Sequence, residues 1–133
     1  MRYNRSDLIA ETKRGKRYKY IFFWGHTPAA DGQIGPSCLS QWWSCRFAVD
    51  GVEYSCAEQY MMAEKARMFG DREMLARILE AGHPKEMKAY GRAVRNFDPD
   101  RWDAACYDIV KAGNLAKFSQ NPELWDYLKS TGT

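Results

Sequence analysis

Glu58 and Lys65 stand seven residues apart in a run, Ser55 to Phe69 (SCAEQYMMAEKARMF), rich in Met, Ala and aromatic side chains. At 3.6 residues per turn, positions seven apart return to nearly the same helix face, roughly 10 Å apart along the axis. A substrate could lie between them. Met61 and Met62 fill the intervening i+3 and i+4 positions, so both charges sit beside apolar surface, where desolvation shifts a pKa. An amine with a depressed pKa attacks a carbonyl or a ribose anomeric carbon, and a neighbouring carboxylate moves protons or steadies developing positive charge. Glycosidic chemistry needs such parts, because its transition state resembles an oxocarbenium ion. Periodicity alone favours a plainer reading: Ser55-Cys56-Ala57-Glu58 is also an S-x-x-E capping box, in which Glu58 only starts a helix.

Other side chains suit the same chemistry. Phe23, Trp24 and Trp102 could stack on a flat base, or fill a core. Arg92 could clamp phosphate, or satisfy the carbonyls of a helix that closes at Gly91. His26 follows Trp24-Gly25 at a strand end, a place for a ligand contact, whereas His83 beside Pro84 reads as a local cap or surface residue. Cys56 falls in the first turn of its helix, where the dipole can lower a thiol pKa, but no base and orienting partner accompany it. No G-x-x-x-x-G-K-[ST] loop, G-x-G-x-x-G turn or G-x-S-x-G elbow occurs. The four cysteines form no C-x-x-C pair, and with two histidines the spacing of a zinc site is missing. Neither a metal nor a cofactor is expected.

The elements that must position these residues are legible from caps and turns. Ser6 and the residues after it predict a short helix ending near Gly15, and Tyr18 to Trp24 reads as a strand. Thr27 to Ser40, with Pro28, Gly32, Gly35 and Pro36, is a loop long enough to suggest function. Arg46 to Tyr54 alternates about Asp50-Gly51, a hairpin signal. Helices follow from Ser55 to Phe69 with Gly70 as stop, from Asp71 to Gly82, and from Pro84 to Gly91. Asp98-Pro99 opens a longer helix with Trp102, Cys106, Ile109, Val110, Leu115 and Phe118 in its interior, and Asn121-Pro122 opens the last. The expected fold class is α+β, a mainly helical single domain with a small antiparallel sheet near the N-terminus.

At 133 residues, 45% hydrophobic and 14% aromatic, the chain can bury one core. It holds no apolar run long enough to span a bilayer, and its start is not built like a signal peptide, so a soluble, cytoplasmic protein with free thiols and no membrane partner is expected. The net charge of +3 is uneven: residues 1 to 20 carry seven basic and two acidic groups, the remainder thirteen basic and fifteen acidic. Such a segment attracts polyanions, although charge runs are often solvated faces.

Several short motifs occur in one order. They are Phe23-Trp24-Gly25-His26, Leu39-Ser40-Gln41-Trp42-Trp43, the Asp50-Gly51 hairpin and Ser55-Cys56-Ala57-Glu58 through Lys65-Ala66. Lys88-Ala89-Tyr90-Gly91-Arg92, Trp102 and Asn114 to Asn121 follow, then Leu124 and Thr131-Gly132. In this order the chain resembles the NADAR family, the YbiA-like N-glycosidases, over about residues 20 to 132. The resemblance implies a basic extension over residues 1–19 and a YbiA-like domain over 20–133. It implies hydrolysis of the N-glycosidic bond of a ribose-phosphate or ADP-ribosyl compound, either a ribosylaminopyrimidine phosphate of riboflavin biosynthesis or ADP-ribosylated guanine. The partners implied are a small-molecule substrate of that kind and ADP-ribosylated nucleic acid. Glu58 and Lys65 would be catalytic, Lys65 attacking the anomeric carbon and Glu58 assisting proton transfer. Phe23, Trp24, Gly25, His26, Gln41, Trp102, Arg92 and Lys117 would bind the substrate. Gln41 stands where the family has Asn, one methylene longer with the same donors and acceptors. The family also continues past the Thr-Gly turn into an Asp-x-x-Trp-Gly segment, before which this chain stops. The alternative expectation is therefore a catalytically impaired ADP-ribose or nucleotide-binding module.

Overall fold

The structure is a computed structural model that describes residues 4–28 and 30–132; Arg2 of the basic segment, Ala29 of the long loop and Thr133 lie outside them. It is α+β, with six helices and one two-stranded antiparallel sheet among the described residues. Helix α1 (Arg5–Lys13) is capped by Asn4, whose Oδ1 accepts from the Asp7 N–H at 2.8 Å, so the helix starts before the expected Ser6. None of its residues is buried. Tyr18 to Trp24 is not a strand. The sheet consists of strands β1 (Phe47–Val49) and β2 (Val52–Tyr54) alone, so this segment has no ladder to join despite its β-forming composition.

The hairpin follows from its turn. Asp50 and Gly51 have φ of 51° and 80°, both left-handed, the two-residue connection that pairs Phe47 with Tyr54 and Val49 with Val52. Helix α2 (Ala57–Met68) then forms the centre of the molecule, touching α3 (Arg72–Glu80), α4 (Pro84–Arg92) and α5 (Pro99–Ser119). It is buried on most of its circumference, and Ala63 and Ala66, without measurable exposure, let its neighbours approach. Gly70, at φ +71°, ends it. Asp71 caps α3 by accepting from the Met74 N–H and also receives the Arg95 guanidinium and N–H. Those bonds hold its carboxyl well below the usual carboxylate range.

The main core joins Phe47, Tyr54, Tyr60, Met62, Phe69, Ile78 and Val94. A second cluster of Cys38, Trp43, Phe118 and Leu124 ties a 3-10 turn (Pro36–Leu39) to α5 and to α6 (Pro122–Ser130). Gly91 does not close α4. It lies inside the helix and buried, because a Cβ there would collide with the Met62 thioether of α2. Gly113 plays the same part in α5, where a Cβ would stand 2.6 Å from Tyr60 Cδ1. The Tyr60 ring is held edge-on by Tyr54 and Phe47, with centroids 5.2 and 6.3 Å away, and cannot swing clear. Gly113→Ala is therefore expected to destabilise the fold by about 1–2 kcal/mol, overpacking outweighing the better helix propensity of Ala. A urea titration that finds the variant as stable as the parent would contradict this close contact.

Candidate active site

The start of α2 is where local structure frees a carboxylate. Cys56, not Ser55, is the N-cap, which places Glu58 at the second helical position and Gln59 at the third. Gln59 Oε1 accepts from the Ser55 N–H at 2.8 Å and from the Ser55 hydroxyl at 3.1 Å, while its Nε2 donates to the Ile78 and Leu79 carbonyls. The reaching-back that a capping box assigns to Glu58 is thus made by its neighbour. Glu58 contributes only its backbone N–H, donated to the Gln41 carbonyl at 2.9 Å. The capping reading of its side chain is overturned. That side chain is 5% exposed, lines a cleft and accepts no hydrogen bond among the described residues. Burial pushes its pKa above the ordinary value, opposed by the charges of Lys88 and, less, Lys65.

Lys65 lies on the same face of α2, with its ammonium 4.4 Å from the Phe97 ring centroid and 5.7 Å from that of Trp102. Burial lowers its pKa, Glu58 opposes that shift, and Arg92 of α4 adds to it. Arg92 is itself exposed. Trp102 therefore touches the amine and is not part of the cleft wall described next.

Glu58 opens into a cleft of about 780 Å³ whose lining brings together Phe23, Trp24, Gly25, His26, Gln41, Trp42 and Lys88. Trp24 projects from its mouth, 97% exposed. Gly25, at φ +69°, makes the bend that carries the chain past the opening. His26 and Trp42 meet edge to face at 5.6 Å, and His83 stands 6.1 Å from Trp42. His83 caps α4, its Nδ1 accepting from the Lys85 N–H at 3.0 Å, as its place beside Pro84 predicts. Gln41 faces the cleft with an amide already paired to Asn114 of α5 in two reciprocal bonds of 3.1 Å.

Lys117 does not reach the cleft. Without measurable exposure, it donates to the carbonyls of Cys38 at 2.6 Å and Ser40 at 2.9 Å, and so fixes from behind the loop that carries Gln41 and Trp42. A family motif marks such a residue but not whether it faces ligand or backbone. Cys56 is buried against the Met87 sulfur, and desolvation raises its pKa, overriding the helix dipole. All four cysteines are free.

Sequence reasoning selected neither Lys88, Trp42 nor Phe97 as site residues. Lys88 and Trp42 lay inside the quoted motifs; Phe97, in the link between α4 and α5, carried no periodic signal. With Glu58, the cleft offers a proton donor and acceptor of raised pKa, the Lys88 ammonium and aromatic walls; Lys65 does not line it, and its charge reaches Glu58 along the shared face of α2. That set suits the departure of a flat, nitrogen-linked base from a phosphorylated sugar.

Comparison with known proteins agrees with this chemistry. A family model described as NADAR domain matches residues 22–133. The chain is 44% identical over 119 residues to "N-glycosidase R617" of Acanthamoeba polyphaga mimivirus, covering 86% of this chain and 68% of that one. It is 32% identical over 74 residues to "Protein irg-1" of Caenorhabditis elegans, covering 54% of this chain and 35% of that one.

Proposed function

This chain belongs to the NADAR family, and we propose that it is an N-glycosidase, hydrolysing the bond between ribose and a nitrogenous base in a ribose-phosphate or ADP-ribosyl compound. The observation that carries the proposal is the buried Glu58 carboxyl, free of the cap, lining an aromatic cleft with Lys88 and feeling the charges of Lys88 and Lys65. The raised pKa keeps this carboxyl protonated to higher pH, so it can donate to the leaving base nitrogen and then, as carboxylate, accept the proton of the attacking group. Phe23, Trp24, His26 and Trp42 supply the aromatic walls for the base, and Lys88 attracts the phosphate charge. Arg92, exposed and near Lys65, adds positive charge outside the cleft lining. Gln41 fixes the wall through Asn114. Two substrates fit these parts, a ribosylaminopyrimidine phosphate of riboflavin biosynthesis and ADP-ribosylated guanine.

Lys65 is proposed as the nucleophile. Its lowered pKa supplies free amine, and the Phe97 and Trp102 rings bound its nitrogen. The amine bonds to the anomeric carbon as the base leaves with the Glu58 proton, and the Glu58 carboxylate takes the amine's proton. The ribose ring oxygen then departs to give a Schiff base, and water adds to that imine to release the amine and the sugar as a free reducing end. Lys65→Arg, which keeps the charge and loses the nucleophile, is expected to fall as far as Lys65→Ala, by roughly 10³-fold or more. Borohydride added during turnover is expected to leave a sugar adduct on Lys65, read by peptide mass. Full activity in the Arg variant would reduce Lys65 to a charge partner.

The division into an extension over 1–19 and a domain over 20–133 is supported by the absence of buried residues in α1 and by the start of the family match at residue 22. Free thiols suit a reducing cytoplasm; no helix among the described residues is long and apolar enough to cross a membrane. Mixing the protein with ADP-ribosylated guanine and with ribosylaminopyrimidine phosphate, then measuring free base, tests the reading. Saturable binding without product would instead favour the nucleotide-binding module.

A further inference from the structure

We propose that residues 13–24 form a path for single-stranded nucleic acid that ends at the mouth of the Glu58 cleft. These twelve residues hold five basic side chains, five aromatic ones and no acidic one. Burial does not account for them. Tyr20 is 50% exposed, Phe22 85% and Trp24 97%, large apolar surfaces that water would exclude if they had a core to join. The irregular backbone places alternate rings in succession, Tyr18 to Tyr20 at 6.5 Å and Tyr20 to Phe22 at 6.0 Å, the latter pair within 26° of parallel.

The start of the path is anchored. The Tyr18 hydroxyl bonds the Glu11 carboxylate of α1, and Lys16 pairs with the same group while lying 5.0 Å from the Tyr18 ring centroid. Lys13, Arg14, Arg17 and Lys19 are exposed and pair with no carboxylate among the described residues. Cations alternating with open aromatic faces are what a single strand requires, phosphates meeting the charges and bases the rings. A duplex hides its base faces and gains only the charges. Continuity decides the occupant further: the strip runs directly into Trp24, a wall of a cleft that suits a base bearing a phosphorylated sugar. Residues 13–21 of the path, with all five of its basic side chains, precede the span matched by the family model, and Phe22 to Trp24 open that span.

Binding here does not depend on cleavage, so the test uses an unmodified strand. Fluorescence anisotropy with labelled oligothymidylate is expected to show saturable binding, with a log–log salt slope of about −3 for four neutralised phosphates. Replacing Tyr20 and Phe22 together by Ala is expected to weaken binding about tenfold or more without changing that slope. Replacing Arg17 and Lys19 by Gln is expected to roughly halve the slope. These side chains are exposed, and an unchanged melting temperature confirms that each variant folds. Equal affinity in the aromatic variant, equal affinity for duplex, or binding to phosphatidylserine vesicles with none to the strand would each overturn the proposal.

Discussion

Glu58→Gln is expected to lower base release by roughly 10³-fold while raising the melting temperature at neutral pH. The two effects share a cause. A carboxyl that is 5% exposed and accepts no hydrogen bond among the described residues is costly in its ionised form, and burial accordingly raises its pKa in the fold. Where a folded-state pKa lies above the unfolded one, the native state binds more protons between the two, so stability falls as pH rises through that window. The stabilising contribution of Glu58 is complete below the unfolded value near 4.5 and is lost once pH passes the raised one. Gln removes the titration. The excess stability of the variant should vanish at the acid end and be largest above the raised pKa, measured by thermal unfolding at a series of pH values. In the parent, turnover should decline as pH rises through the same window, because the protonated form donates to the leaving base. A Gln variant with full activity would remove Glu58 from the mechanism; one no more stable than the parent at neutral pH would mean that its carboxyl is solvated.

The second large effect belongs to Lys117, a residue that touches no substrate. Lys117→Ala removes two buried donors at once, leaving the Cys38 and Ser40 carbonyls without them and a hole behind the loop. The Ser40 carbonyl keeps the Trp43 N–H at 3.1 Å, so among the described residues the Cys38 carbonyl alone is orphaned. That orphan costs about 1–3 kcal/mol; the cavity adds to this, and release of a confined, desolvated ammonium offsets part of it. A net loss of about 2–4 kcal/mol is expected in urea unfolding. Activity should fall too, through the wall made by Leu39 to Trp42 rather than through chemistry. Lys117→Met separates the two causes: it fills the hole but supplies no donor, so it should recover part of the stability and little of the activity. Full activity in the Ala variant would show that the loop is held by other contacts.

Much of the architecture is legible from local chemistry. Asp50-Gly51 specifies its hairpin because both positions need left-handed backbone, and Gly70, Asp71, Pro84, Pro99 and Pro122 punctuate the helices because caps and first turns have few chemical solutions. The failures are equally physical. Tyr18 to Trp24 has strand composition, yet a strand exists only where a partner offers its hydrogen bonds, and none does among the described residues. Gly91 reads as a stop because close approach of another helix leaves the same signature as a left-handed cap. The capping box slips by one residue since Gln59 competes for the role that the pattern assigns to Glu58.

By itself, then, the sequence determined the fold class, most helix boundaries and the face that Glu58 and Lys65 share, because caps, turns and helical period are short-range matters of covalent geometry. Tertiary structure decided which charged groups stand free and which are engaged. Glu58 is released because Gln59 takes its cap, Lys65 lies between rings from α5 and the link before it, and Lys88 is carried to the cleft by α4. Lys117 is withdrawn behind the wall to satisfy backbone carbonyls more than seventy residues away in the chain. Desolvation and pairing depend on everything that surrounds a charge, and no stretch of sequence contains its own surroundings.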